Sequence, residues 1–231
     1  MRIVVWNVAR RGFAGKQSLL RRLEPDIAVI SECESEIGAP PGCWAWVGSD
    51  RHQGLGVASY GDYKVSIEHH DDDEKGRWAA PVAITGPNAF FLLAIWAQRP
   101  YGESVYRVLE RYRNRLTLGS AVVAGDLNQN PKLDGPGKPT YPFSRNLALI
   151  NELGMVSAYH DQLGVSHGDE EVSTHYWRYN TETASVYHID YCFVPVSWLN
   201  AINSVEVRPA AEWINHSDHV PLVVDIRLPE H

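Results

Sequence analysis

Short apolar segments recur along the whole 231-residue chain, and each stops at a turn residue or a polar side chain. This pattern constrains the fold most, because brief runs rich in Val, Ile and aromatic residues are strand-like rather than helical. Strands are expected near 2–6, 26–32, 54–60, 63–69, 80–85, 90–97, 120–126, 174–179, 186–194, 204–208 and 220–228. The runs "RIVVWN" and "DIAVIS" are almost continuously apolar, as in strands covered on both faces. Helical periodicity is rarer. It is expected over 15–25, closed by Pro25, and over 103–119, where Val105, Val108, Leu109, Tyr112 and Leu116 share a face. A third helix is expected over 144–153, with Ser144 as its cap and Gly154 just past its end. Many strands and few helices imply an α/β fold of two packed sheets with helices on their outer faces.

No repeat, low-complexity tract or linker divides the chain, so residues 1–231 are expected to form one domain. The longest apolar run, 89–97, is about half of what a membrane-spanning helix needs. No membrane association is therefore expected. The N-terminus enters a strand-like run at once, without the longer apolar segment of a signal peptide. Cys33, Cys43 and Cys192 are scattered without metal-type spacing. They read as reduced thiols, and a cytoplasmic location is expected. The "NHS" sequon at 215–217 then reads as incidental. The net charge of −7 argues against a tight nonspecific grip on nucleic acid, which depends on Lys and Arg. It permits a phosphate substrate, because clustered acids bind a divalent cation and the cation meets the phosphate. The charged stretch 69–77 reads as a solvated turn, with metal binding as the weaker reading. Arg107, Arg111 and Arg115 read as a solvated helix face, with Glu103 four residues before Arg107. Nothing in the sequence indicates an obligate protein partner.

The strand ends share a character. The first apolar run ends at Asn7, the second at Glu32, and "AVVAGDLNQNP" passes from a greasy run into Asp126 and Asn128. Asp190 interrupts "VYHIDYCFVP", and Asp218 and His219 precede the last apolar run. Each alone has a bland reading as a turn or a solvent-facing end. Together, at one rim of two packed sheets, they would gather carboxylates, amides and an imidazole. Crowded carboxylates need a compensating cation. An oxygen-rich set suits Mg²⁺ or Mn²⁺ rather than Zn²⁺. If the chain stays extended past Asp126, then Asp126 and Asn128 point the same way and Leu127 points into the core. The segment 126–142, rich in Pro and Gly, reads as a long surface loop.

The motifs "VVWN" (4–7), "PDIAVISE" (25–32), "VVAGDLN" (122–128), "HIDYCFVP" (188–195) and "SDHVPLVVDI" (217–226) occur in one order across nearly the whole chain. In this the sequence resembles the endonuclease/exonuclease/phosphatase superfamily, which includes exonuclease III, the apurinic endonucleases and DNase I. The resemblance implies a four-layer α/β/β/α sandwich and metal-assisted hydrolysis of a phosphoester. It implies Glu32 as principal metal ligand with Asn7 beside it, and Asp218 as a second metal-associated carboxylate. It implies Asp126 as the group that orients or deprotonates the attacking water, and Asn128 as the holder of the phosphate or of that aspartate. His219 is implied as a phosphate-contacting imidazole oriented by Asp190.

Two positions depart from the resemblance. Trp96 stands where relatives usually carry a His or Tyr near the phosphate, so it either flanks substrate or fills the core. His188 stands where many relatives have Arg, and its titration would make activity pH-sensitive. "STHYWRYN" (173–180) loosely resembles an apurinic-endonuclease segment, which makes Trp177 a candidate to stack on a base or sugar; the alternative is a core or rim aromatic. Tyr141 and Phe143 are similar candidates. The favoured expectation is a nuclease or phosphodiesterase with a modest footprint on DNA or RNA. A phosphatase acting on a small or lipid-linked phosphate is the alternative within this chemistry. A non-catalytic binding module and a purely structural domain are weaker readings, because the acid, amide and imidazole positions are all present.

Overall fold

The computed structural model describes residues 1–10, 12–36, 42–68, 78–135, 140–182 and 185–229. Its strands, in chain order, are β1 (Arg2–Asn7), β2 (Ile27–Cys33), β3 (Trp44–Asp50), β4 (Gln53–Ser59), β5 (Lys64–Ile67), β6 (Ala79–Thr85), β7 (Phe90–Trp96), β8 (Ala121–Asp126), β9 (Met155–Ser157), β10 (Asp190–Pro195), β11 (Ile202–Val207) and β12 (Leu222–Ile226). The α-helices are α1 (Phe13–Arg21), α2 (Tyr101–Arg111), α3 (Arg113–Leu116), α4 (Phe143–Glu152), α5 (Ala158–Leu163) and α6 (Ala210–Trp213).

Two six-stranded sheets form, in the orders β11-β12-β1-β2-β4-β3 and β5-β6-β7-β8-β10-β9. Each contains one parallel pair, β1 with β2 and β7 with β8, among antiparallel neighbours. The apolar runs supply two cores at once. Along β7, Phe90, Leu92, Ala94 and Trp96 face the core between the sheets, while Phe91, Leu93 and Ile95 face α2, α3 and α4. Along β1, Ile3 and Val5 face inward, while Val4 and Trp6 meet α1 and α6. Alternation along a continuously apolar strand thus produces the four layers.

Each parallel pair places two strand C-termini at the same end. β10 runs antiparallel to β8 and starts there, with Asp190 opposite Asp126. β12 runs antiparallel to β1 and starts beside its end, with Leu222 opposite Val5. The polar strand ends therefore share one rim.

Several expectations are corrected. The 174–179 region is not a strand: His175 makes isolated bridges to Tyr187 and His219, and Trp177–Tyr179 is a 3-10 turn. Arg178 and Tyr179 there take left-handed backbone angles, which a strand excludes. The 103–119 helix starts at Tyr101 and breaks at Tyr112 into α2 and α3. Ser144 does not cap α4; the Asp134 carboxylate accepts from the Phe143 N–H at 3.1 Å instead. Strands β3 and β9 and helices α5 and α6 are not anticipated by the periodicity. Arg107 pairs with Glu103 and Arg115 with Glu68, so two members of the arginine stripe are neutralised on the surface. The 69–77 stretch lies outside the described residues. Among the described residues no helix is long and apolar enough to cross a membrane.

Candidate active site

Local backbone devices aim the polar groups at the rim. Relative to β4, β2 shifts register between Ser31 and Cys33, which makes Glu32 the extra residue of a bulge. Its φ is 62°, a left-handed value. A bulge re-aims a side chain, and a non-glycine residue held there is a strain that the surrounding structure must impose. Gly125 has a different necessity. Its φ is 140°, and a Cβ would stand 1.9 Å from the Ile95 carbonyl oxygen. Only glycine lets β8 approach β7 this closely before the chain delivers Asp126.

Asn7 ties the rim together. Its Nδ2 donates to Glu32 Oε1 at 3.1 Å and to Asp126 Oδ2 at 2.9 Å. Its Oδ1 accepts from the Ala9 N–H at 2.9 Å, which fixes the orientation of the amide. Glu32 is also paired with Arg10, Nε to Oε2, at 3.3 Å. Asp126 is buried, and its Oδ1 accepts from the Asn128 N–H at 2.9 Å. Asn128 Nδ2 donates to Asp126 Oδ2 at 3.1 Å. The extended backbone expected at Asn128 is not found, because its φ is 51°. The turn conformation itself brings the Asn128 side chain onto Asp126, while Leu127 is buried in the core as expected.

Asp190 is fully buried, and its Oδ2 lies 2.8 Å from His219 Nδ1. Burial opposes charge on His219, but Asp190, with Asp126 and Asp218, outweighs it and pushes the imidazole up to about 10. Asp126 moves the other way from an ordinary carboxyl. Burial and then the Asp190 charge raise it to about 7, against the pull of His219 and Asn7. Asp218 is half-buried. Burial opposes its ionisation, but the His175 hydrogen bond and the His219 charge hold its carboxyl below the usual value.

Four groups that the sequence reading missed complete the rim. His175 bridges His219 across a single antiparallel rung, with ring centroids 4.5 Å apart. Its Nε2 lies 3.7 Å from Asp218 Oδ2. The Thr174 Oγ1 accepts from the N–H groups of Ile189 and Asp190 at 3.0 and 3.1 Å. Ser217 Oγ donates to the Asn7 carbonyl at 2.7 Å and accepts from the His219 N–H at 3.0 Å. Trp6 Nε1 donates to the His219 carbonyl at 3.1 Å. Apart from the Ser217–His219 turn, these are contacts between residues far apart in sequence, so no local spacing announces them.

Three candidates for substrate contact prove to be interior residues. Trp96 is 4 % exposed and packs edge-on against Trp78 within the core between the sheets. Phe143 is buried in the outer core under α4. His188 is buried against Tyr159, at 4.3 Å between ring centroids. Burial, then the neighbouring His160, lowers it to about 4. It therefore stays neutral around pH 7, contrary to the expected pH sensor. Trp177, by contrast, is 62 % exposed, edge-on to His175 at 6.2 Å. Tyr141 lines a cavity of about 450 Å³ that also adjoins Asn128.

The donor set fits a hard divalent cation. Among the described residues, two groups have ligand atoms within 4.8 Å of one another: His175, Asp218 and His219, and Asp126, Asp190 and His219. Glu32 is outside both groups and joins the rim through Asn7. The Asp126 carboxyl is raised by burial first and then by the neighbouring Asp190 charge, which a bound cation would offset. Carboxylates outnumber the imidazole in the group of Asp126, Asp190 and His219, as a hard cation favours, whereas the other group holds two imidazoles and one carboxylate.

No protein-family model and no curated protein matches the chain. Solved structures do. An AP endonuclease from Archaeoglobus fulgidus superposes with a TM-score of 0.72 at 18 % identity, covering 99 % of this chain and 100 % of that one. A 3′-5′ exonuclease from Neisseria meningitidis gives 0.71 at 17 % identity, covering 99 % and 100 %. The endonuclease domain of TRAS1, a telomere-specific non-LTR retrotransposon, gives 0.66 at 18 % identity, covering 98 % of each. A further match is a Neisseria 3′ phosphatase bound to a product DNA hairpin, also at 0.71 and 17 % identity. The chain thus has the DNase I-like α/β fold that these solved structures share, the architecture its motif order leads one to expect.

Proposed function

We propose that this DNase I-like chain is a divalent-cation-dependent phosphoesterase, a nuclease hydrolysing phosphodiester bonds in DNA or RNA within one catalytic domain. The observation that carries the reading is the convergence of Asp126, Asn7, Glu32, Asn128, Asp190 and His219 from separate strand ends into one hydrogen-bonded rim. A buried carboxylate raised to about 7 beside an imidazole raised to about 10 suits an acid–base pair at a catalytic site.

The residues divide the chemistry. Asp126, held by Asn7 and Asn128, accepts the proton of the attacking water. His219 keeps its proton because Asp190 faces Nδ1, and it presents a positive donor to the phosphoryl oxygens as charge develops there. Mg²⁺ or Mn²⁺ bound at Glu32, with Asn7 and Asp218 near it, would polarise the phosphoryl oxygen and offset the acidic rim. Trp177 stands exposed beside His175, where a base or sugar of the flanking nucleotide would stack.

The same groups would act on a phosphomonoester. The match to a 3′ phosphatase bound to a DNA hairpin makes a DNA 3′-phosphate the second reading. One panel decides: single-stranded, duplex, abasic and 3′-phosphorylated DNA, RNA and a small phosphodiester, each with Mg²⁺, Mn²⁺ or EDTA. Asp126→Ala and His219→Ala run alongside. Hydrolysis by the wild type that EDTA and both substitutions abolish is the expected result. No hydrolysis with either metal, or equal activity in the variants, defeats the proposal.

A further inference from the structure

Behind the rim lies a second polar network whose side chains, those of Ser157, His160, Glu170 and Asn130, are buried. Its centre is Glu170, a buried carboxylate on the segment between α5 and Thr174. Glu170 Oε1 accepts from Asn130 Nδ2 at 2.9 Å and from the Gly168 N–H at 2.9 Å, and it lies 3.0 Å from His160 Nε2. These donors hold its carboxyl at about 2 despite burial, which opposes ionisation. Because Glu170 is an acceptor, His160 donates through Nε2. Ser157 Oγ, 2.7 Å from His160 Nδ1, fixes the other side of the ring.

Asn130 passes this anchorage to the rim. Its Oδ1 accepts from the Lys132 N–H at 3.0 Å, which excludes the flipped amide. Its Nδ2 must then face Glu170 and the His188 carbonyl, the latter at 3.1 Å. That carbonyl lies two residues before Asp190. The Tyr191 hydroxyl sits across the same junction, within hydrogen-bond distance of the Gln129 and His188 carbonyls at 2.9 and 2.7 Å. Asn130 itself lies two residues after Asn128. One buried amide thus couples the exit of β8, which carries Asp126 and Asn128, to the entry of β10, which carries Asp190.

We infer that Glu170 is a positioning residue for the rim chemistry: by fixing the Asn130 amide it sets the placement of Asp190, and through it His219, relative to Asp126. The inference rests on the phosphoesterase reading for its kinetic consequence, but not for its structural one. A misplacement of about 1 Å costs on the order of 10²-fold in rate. A hydrogen bond to Glu170 needs only the oxygen that Asn130 uses. Glu170 Oε2 has no hydrogen-bond partner among the described residues, so Glu170→Gln can keep every bond made by Oε1 and loses none at Oε2.

The test compares Glu170→Gln, Glu170→Ala and Asn130→Ala in the full chain. The first readout is kcat and KM on a fluorescent single-stranded oligonucleotide with Mg²⁺ or Mn²⁺. The second is the imidazole N–H resonance of the His219–Asp190 hydrogen bond in ¹⁵N-histidine-labelled protein without substrate, assigned with His219→Asn. Expected is a fall in kcat of about 10- to 100-fold with KM little changed for Glu170→Ala and Asn130→Ala. The His219 resonance should shift in both, although neither residue touches His219, and Glu170→Gln should restore both readouts. A folded Glu170→Ala or Asn130→Ala protein with an unmoved His219 resonance overturns the inference. So does a Glu170→Gln protein as impaired as Glu170→Ala. If the wild type hydrolyses nothing, the phosphoesterase reading falls while the resonance still decides the role of Glu170.

Discussion

Asp126 and Asp190 stand directly opposite one another on adjacent antiparallel strands, both buried, with only Asp190 bonded to His219. Two carboxylates in that relation cannot ionise independently. The asymmetry of their partners assigns their roles: Asp190 faces the His219 imidazole, and Asp126, raised by burial and then by the Asp190 charge, holds its proton to about pH 7.

The pH–rate profile should therefore be a bell. Activity rises with pH as Asp126 ionises through about 7 and falls as His219 loses its proton through about 10. Asp190→Asn removes the charge that raises both groups, so both limbs should move to lower pH. Measuring kcat/KM against pH in the two proteins checks the sign. An alkaline limb that stays in place would separate His219 from that limb.

Glu32→Gln should leave the fold intact and raise the Mg²⁺ or Mn²⁺ concentration needed for half-maximal activity. The Asn7 amide still finds an oxygen at that position, but the cation loses a full charge. Altered metal environments typically cost about 10- to 100-fold in affinity. Calorimetric titration of the metal into each protein, without substrate, checks this. Equal affinities would move the cation away from Glu32.

The two tryptophans should separate cleanly. Trp96→Ala empties a core site and should cost about 3–5 kcal/mol in urea unfolding. Trp177→Ala, at an exposed position, should leave the unfolding midpoint unchanged and raise KM for single-stranded oligonucleotides. The loss is expected at about 1–3 kcal/mol, the range of a base–aromatic stack. Unchanged KM would make Trp177 a bystander.

Much of this was legible in the sequence because the two signals are local. The apolar runs of β1, β2, β7 and β8 set the layers, and the polar residues Asn7, Glu32 and Asp126 that end the runs of β1, β2 and β8 fall on the rim. Trp96 was legible too: it shares parity with Phe90, Leu92 and Ala94, and those residues face the core between the sheets. Family position suggested substrate, but alternation points inward. His188 was not legible, because its burial depends on Tyr159 and His160 in α5, a helix too short to declare a period. Thr174 and His175 escaped for a related reason. They act through isolated bridges and side-chain contacts to 187–190 and 218–219, and an irregular segment carries no repeating pattern to read.

Gly125 offers the sharpest link from backbone to chemistry. Gly125→Ala places a Cβ against the Ile95 carbonyl, inside the contact that aligns β7 with β8, at a φ that alanine resists. Gly154, just past α4, also has a positive φ of 75°, but a Cβ there would meet nothing within 4 Å. Gly154→Ala should thus cost only the left-handed strain, about 1 kcal/mol in the guanidinium midpoint, with activity retained. Gly125→Ala should cost more than about 2 kcal/mol. In whatever fraction stays folded, it should lower kcat, because the strand must shift away from Ile95 and carries Asp126 with it. The Ala97 N–H that donates to the Asp126 carbonyl at 2.8 Å makes the two strands move together only if that bond survives. Hydrogen exchange at Ala97 therefore reports the displacement directly. Protection equal to wild type alongside full activity would show that β8 absorbs a side chain at 125 without moving its aspartate.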